Sequence, residues 1–306
     1  MQEKEAVFVF PGQGTQTIGM GADLARDFSV AKLVFEEVDD ALHQKLSQLM
    51  FSGEMQELSL TQNAQPAIMA VSVAVFRVLR SEGFLVPVAM AGHSLGEYSA
   101  LCVADVLGLT STAQLLQARG QAMAKACEME QGGMLALLGA TTEQAKEVAK
   151  QADCYVANDN TVGQVVLSGL LKNLDKAKEI SEKMGIKRSV LLNVKGAFHS
   201  PLMQQAADEL APLLQLTSFK TPKIPVYFNV TANIDLNPDH YADLLKKQVT
   251  SPVRWRELIE NTKSKCFVEC GVGGVLSGLI RRIISDAEIT SVGSSEDINK
   301  LVKMKK

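Results

Sequence analysis

The chain has 306 residues, 46% of them hydrophobic and 21% charged, enough to bury one large core or a main domain carrying a smaller one. The formal net charge is -3, with Lys and Arg spread along the chain, so there is no basic footprint for nucleic acid or an anionic membrane surface. The charged start, Met1 to Glu5, leads into too short an apolar run for a secretory signal, and the longest apolar stretch, Pro66 to Phe76, falls well short of the ~20 residues that span a bilayer.

Val7-Phe8-Val9-Phe10 predicts a strand buried on both faces that runs into the loop Pro11-Gly12-Gln13-Gly14. Helical spacing follows over about 28–51 and 64–82, with Gly53 and Gly83 as stops. Val88-Ala89-Met90-Ala91 predicts a second buried strand leading straight into Gly92-His93-Ser94. Helices are expected over 95–103 and 110–129, the second with Thr110 or Ser111 as N-cap. Beyond Gly132-Gly133 the pattern reads strand 134–138, helix 142–151, strands 154–157 and 165–168, helix 174–184 and strand 188–193. That β-α-β-β-α-β order is the split pattern of a ferredoxin-like unit.

Because this unit falls inside the chain, the expected organisation is a discontinuous α/β domain, 1–130 and 196–306, around a smaller one, 131–195. The remainder reads helix 200–216, strand 226–229, helices 238–249 and 253–261, strand 265–269, a last helix 275–284 and a solvated tail, Lys303 to Lys306. Five cysteines, Cys102, Cys127, Cys154, Cys266 and Cys270, lack the paired spacing of a zinc site and read as free thiols in a reducing cytoplasm.

Gly92-His93-Ser94-Leu95-Gly96 lies between an apolar strand and a helix, the context of a nucleophile elbow. Glycines on both sides let the chain turn sharply and leave the serine at a helix N-terminus, where unsatisfied N–H groups stabilise developing negative charge. A serine hydroxyl needs a base within hydrogen-bond reach. His43 and His240 lie in polar stretches, and His93 is adjacent to the serine and points elsewhere. His199 remains, before Ser200-Pro201, where Ser200 can cap a helix whose first turn holds Pro201. The oxyanion of an acyl intermediate needs two donors. The Leu95 N–H is one, and the loop Pro11 to Gly14 can supply the second.

With Pro11-Gly12-Gln13-Gly14, Gly92-His93-Ser94-Leu95-Gly96-Glu97, Arg119-Gly120 and Gly196-Ala197-Phe198-His199-Ser200 in that order, the sequence resembles malonyl-CoA:acyl carrier protein transacylases. The resemblance implies a hydrolase-like α/β part with a parallel sheet, an inserted ferredoxin-like part, and an active site between them. It implies Ser94 as nucleophile, His199 as base, the N–H groups of Gln13 and Leu95 as oxyanion hole, and the Gln248 carbonyl as the group orienting the histidine. Arg119 would grip the malonyl carboxylate, as a planar guanidinium can with two parallel hydrogen bonds; on composition alone it reads as a solvated helix arginine.

Phe198 would crowd a branched α-carbon, or be plain core. Asn158 and Asn160 would touch the thioester arm, or form a turn. The implied partners are malonyl-CoA and holo acyl carrier protein, with no metal, no permanently bound cofactor and a cytoplasmic location. Oligomeric state is not readable, and a monomer is compatible. Gly271-Val272-Gly273-Gly274 replaces the family's usual Gly-Pro-Gly, and the missing proline is expected to loosen that turn. Fatty-acid synthesis is the expected setting and a discrete polyketide acyltransferase the alternative. A serine esterase or thioesterase is a weaker one, since the acids between Ser94 and His199 lie in the ferredoxin-like segment and no Asp-Gly pair is present. A silent carrier-binding scaffold would have no need of Ser94, His199 and Arg119 together.

Overall fold

The computed structural model describes residues 5–84, 86–129 and 131–305. The charged stretch Met1 to Lys4 and the final Lys306 lie outside them. Two sheets organise the chain. The first contains β1 (Glu5–Phe10), β2 (Val86–Gly92), β7 (Val226–Tyr227), β8 (Cys266–Cys270) and β9 (Glu288–Val292), in the order β7-β2-β1-β8-β9 with every pairing parallel.

Apolar residues on both faces of β1 explain its central place. Ala6, Phe8 and Phe10 join the main core, where the Phe8 ring meets Phe76 edge-on at 5.6 Å. Val7 and Val9 join a second core on the opposite face. The main core is covered by α1 (Ala22–Asp27), α2 (Ser29–Leu42), α3 (Leu46–Ser52), α4 (Met55–Leu58), α5 (Thr61–Ser81), α6 (Gly96–Val103) and α7 (Leu109–Met129). Helix α5 is buried almost all round from Asn63 to Leu79, as its mostly apolar run requires.

The second sheet is antiparallel: β3 (Gly132–Leu138), β4 (Tyr155–Thr161), β5 (Gln164–Leu170) and β6 (Arg188–Leu191), ordered β4-β5-β3-β6. With α8 (Thr142–Ala152) and α9 (Leu171–Lys183) this is the β-α-β-β-α-β unit with its split pairing. Strand alternation divides its faces. Leu135, Leu137, Val165 and Leu167 pack under α8 and α9, whereas Met134, Ala136 and Val166 gather with Phe198 on the other side. That second face looks toward the loop carrying His199.

The chain finishes with α10 (Gln204–Leu216), α11 (Tyr241–Thr250), α12 (Trp255–Asn261), α13 (Val275–Ile283) and α14 (Ser295–Lys305). Several local expectations differ. The helix expected over 28–51 breaks at His43, which adopts the left-handed conformation at φ 49. Helix α7 begins at Leu109, with the Thr112 hydroxyl bonding the Gly108 carbonyl, so neither Thr110 nor Ser111 is its cap. The end of the chain is not a simple tail: β9 adds an edge strand and α14 runs to Lys305. The turn expected to be loose is held. Gly271, at φ 145, donates its N–H to Val292, and a Cβ on it would come within 2.6 Å of Pro11. Among the described residues no helix is long and apolar enough to cross a membrane.

Candidate active site

Ser94 occupies the turn between β2 and α6 at φ 54, a left-handed conformation that costs a non-glycine residue about 1–3 kcal/mol. The flanking glycines make this turn possible by their lack of a side chain. A Cβ on Gly92 would lie 1.9 Å from the backbone of Gly96, and one on Gly96 would lie 2.1 Å from the Phe10 carbonyl. The Ser94 N–H donates to Asn229 Oδ1 at 2.8 Å, and Asn229 Nδ2 donates to the Gly92 carbonyl at 2.7 Å.

His199, 4% exposed, is also left-handed, at φ 57. Its Nε2 lies 2.8 Å from Ser94 Oγ and its Nδ1 lies 2.9 Å from the Gln248 carbonyl. A carbonyl only accepts, so Nδ1 carries the proton and the Nε2 lone pair faces the Ser94 hydroxyl. Burial, and then the charge of Arg119, push the imidazole down to about 3, so the ring is neutral at ordinary pH. Ser200 precedes a short 3₁₀ turn, Pro201–Met203, but its hydroxyl does not cap it and bonds back to the Ala197 carbonyl at 2.6 Å. Ser168 on β5 donates to the Phe198 carbonyl at 2.5 Å, tying the histidine loop to the second sheet.

The reading of Arg119 as a solvated arginine fails: it is 1% exposed. From α7 it donates through Nη1 to Gln65 Oε1 at 2.7 Å, and through Nη2 to Gln248 Oε1 at 3.0 Å and Ser94 Oγ at 3.1 Å. Its guanidinium carbon stands 5.7 Å from the Tyr98 ring centre, a cation-π distance. All three acceptors are neutral. Burial lowers its pKa, yet arginine stays charged. The neighbouring Glu97 is pushed by burial up to about 8 and is protonated at neutral pH. A buried cation held only by neutral oxygens beside the Ser94 hydroxyl is a ready partner for a carboxylate.

The N–H groups of Gln13 and Leu95 have no hydrogen-bond partner among the described residues. The Pro11 to Gly14 loop runs beside the elbow, since a Cβ on Gly12 would come within 2.9 Å of the His93 carbonyl. Asn158 and Asn160 lie on β4, both buried. Asn160 Oδ1 takes a hydrogen bond from His93 Nε2 at 2.8 Å, and Asn158 forms a backbone bridge with Val253. Phe198 is half-buried between the main core and the inner face of the second sheet. His43 and His240 are solvent-exposed and play no part. No cluster of metal-ligating side chains occurs among the described residues.

Three contributors were given no role in the sequence reading: Gln65, Asn229, and Glu97, although the last stands in the elbow motif Gly92 to Glu97. Each is a polar residue that is buried and bonded here. The one local hint is Gln65, which immediately precedes the apolar stretch that begins at Pro66.

The acyl transferase domain family matches residues 7–302. The chain is 38% identical over 299 residues to the malonyl CoA-acyl carrier protein transacylase of Bacillus subtilis (strain 168), covering 95% of this chain and 94% of that one. The chain belongs to this acyltransferase family. The acyltransferase also superimposes on a crystal structure of an acyl-carrier-protein-S-malonyltransferase from Bartonella henselae with a TM-score of 0.92 and 44% identity, covering 98% of this chain and 99% of that one. A malonyl-transacylase solved in complex with a type II PKS acyl-carrier protein gives a TM-score of 0.93 at 36% identity, covering 98% and 100% of the two chains.

Proposed function

We propose that this acyltransferase moves malonyl from malonyl-CoA to the phosphopantetheine thiol of acyl carrier protein through an ester on Ser94. His199 Nε2 takes the Ser94 proton as Oγ adds to the thioester carbonyl. The N–H groups of Gln13 and Leu95 receive the oxyanion. The carbon–sulfur bond then breaks, and the CoA sulfur leaves with the proton from His199. In the second half the carrier thiol gives its proton to His199, its sulfur attacks the ester, and Ser94 Oγ departs and recovers the proton.

The observation that carries this reading is the Arg119 guanidinium, buried among neutral acceptors with Nη2 3.1 Å from Ser94 Oγ. A carboxylate on the acyl group fits there, and the fixed pose keeps the ester carbonyl oriented for the second thiol. The Gln248 carbonyl orients His199, so no carboxylate is required for the dyad. Phe198 excludes a branch at the α-carbon, a steric preference of at most about 1–3 kcal/mol. Asn158 and Asn160 border the path of the pantetheine arm from the second sheet. The chain divides into a larger part, 1–130 and 196–306, and a smaller one, 131–195, with the reaction between them. The enzyme works in the cytoplasm, in fatty-acid synthesis, without a bound cofactor or metal. The resemblance to a transacylase solved with a polyketide carrier keeps that carrier as the second reading.

The test is intact mass spectrometry after malonyl-CoA is added, followed by a chase with holo acyl carrier protein. A malonyl adduct that needs Ser94 and passes to the carrier is expected. An adduct that decays to free malonate before the carrier removes it supports a hydrolase instead. Parallel chases with fatty-acid and polyketide carriers separate those two settings by rate.

A further inference from the structure

Asn229 lies just beyond β7, fully buried, and every polar group it has is hydrogen-bonded, all but one of them at the elbow. Its backbone N–H donates to Glu97 Oε2 at 2.6 Å and its carbonyl accepts the Arg254 N–H at 3.3 Å. Its side-chain amide bridges across His93, taking the Ser94 N–H and returning a hydrogen bond to the Gly92 carbonyl. The chemistry fixes the orientation of that amide, because only the oxygen can meet an N–H and only the nitrogen can meet a carbonyl. One residue thus ties together the end of β2, the nucleophile and, through Glu97, the first turn of α6.

We propose that Asn229 is a positioning residue for the nucleophile: its amide clamps the strained Ser94 turn in the geometry from which Oγ reaches His199 Nε2. This rests on the transfer reading above. The clamp is worth more here than an ordinary buried asparagine would be. The residue it grips is held at φ 54 against its own preference, and a relaxed Ser94 would move both Oγ and the following Leu95 N–H. The groups that hold the acyl chain, Arg119 with Gln65 and Gln248, make no hydrogen bond to Asn229. Loss of the clamp therefore falls on the chemical step and spares binding.

The test compares wild type, Asn229→Ala and Asn229→Asp by rapid-quench intact mass, together with the melting temperature of each. Wild-type acylation is read first, since a wild type that takes up no malonyl defeats the transfer reading itself. Asn229→Ala is expected to lose about 100-fold in acylation rate at saturating malonyl-CoA, with the half-saturating concentration within about threefold of wild type. Asn229→Asp keeps an oxygen for the Ser94 N–H but, when ionised, has no donor for Gly92. Lowering the pH protonates it and restores the donor. Glu97 is the titratable group bonded to Asn229, His93 lies between the two residues its amide joins, and Arg119 and His199 are the charged or titratable groups next along the elbow, so each rate is divided by that of wild type at the same pH. That ratio should rise as pH falls from about 8 to 5, a recovery that a merely structural role would not give. Wild-type rates in folded Asn229→Ala, a loss confined to half-saturation, or an Asn229→Asp deficit flat across pH overturns the proposal. If Asn229→Ala does not fold, the Asn229→Asp profile decides alone.

Discussion

The imidazole of His199 is oriented by the backbone carbonyl of Gln248, 2.9 Å from Nδ1, while the side chain of the same glutamine binds Arg119 and the Ser94 carbonyl. Gln248 thereby contacts the imidazole through its main chain and the guanidinium through its amide, and the two contacts separate by mutation. Gln248→Ala keeps the carbonyl and loses the amide. Malonyl transfer should fall by about tenfold, the scale of one hydrogen bond to a charged group. The acid limb of the rate profile should stay where it is, because the tautomer of His199 is still fixed. A shifted acid limb, measured from kcat against pH, would show that the side chain matters to the base.

His199 and Glu97 give stability opposite pH dependences. Burial depresses His199 from an ordinary 6.5 to about 3. The unfolded chain binds the extra proton in that interval, so the stabilisation present above 6.5 is lost as pH falls toward 3. Burial raises Glu97 from 4.5 to about 8. The folded chain then holds the extra proton, and the stabilisation present below 4.5 is lost as pH rises toward 8. Glu97→Gln keeps an oxygen for the Asn229 N–H and cannot ionise. Urea midpoints of the two proteins should diverge in favour of Glu97→Gln as pH rises from about 5 to 8, and a constant difference would contradict the buried, protonated state.

Gly96→Ala places a methyl group 2.1 Å from the Phe10 carbonyl and 2.8 Å from that of Pro11. The atoms it meets are all backbone, at the end of β1, so no flexible side chain can yield. The variant should be destabilised by more than about 3 kcal/mol by urea titration, or fail to accumulate as soluble protein. A loss under about 1 kcal/mol would mean that α6 can draw away from β1 without cost.

The Ser94–His199 pair, whose side chains meet at 2.8 Å, was legible in the sequence because each member sits in a local context that has few explanations. Ser94 follows an apolar strand and is flanked by glycines, and His199 is the one histidine of four with neither a polar setting nor adjacency to the serine. The second sheet was legible from strand and helix order alone. Arg119 needed the family resemblance, since nothing along α7 marks that one turn as facing the site. The bonding of Gln65, Glu97 and Asn229 was hidden for a related reason: burial of a polar residue depends on partners 54, 132 and 137 residues away, and no short-range pattern encodes them. The break at His43 lacks the glycine that usually signals a left-handed residue. Strand β9 reads as mixed polar sequence because it is an edge strand, paired only with β8 and partly open to solvent.

The central claim is that Ser94 carries an acyl group selected by the cation beside it, and the most direct measurement is kcat/KM for malonyl-CoA and for acetyl-CoA in wild type, Arg119→Lys and Arg119→Ala. Removing a buried partner of a carboxylate costs roughly 2–5 kcal/mol, so Arg119→Ala should lose about 100-fold or more on malonyl. Acetyl, with no carboxylate to hold, should change by no more than about threefold. Arg119→Lys should recover little of the malonyl rate, because an ammonium cannot reproduce the planar fork of hydrogen bonds. Equal losses on malonyl and acetyl would contradict the account and reduce Arg119 to a structural support of the Ser94 hydroxyl.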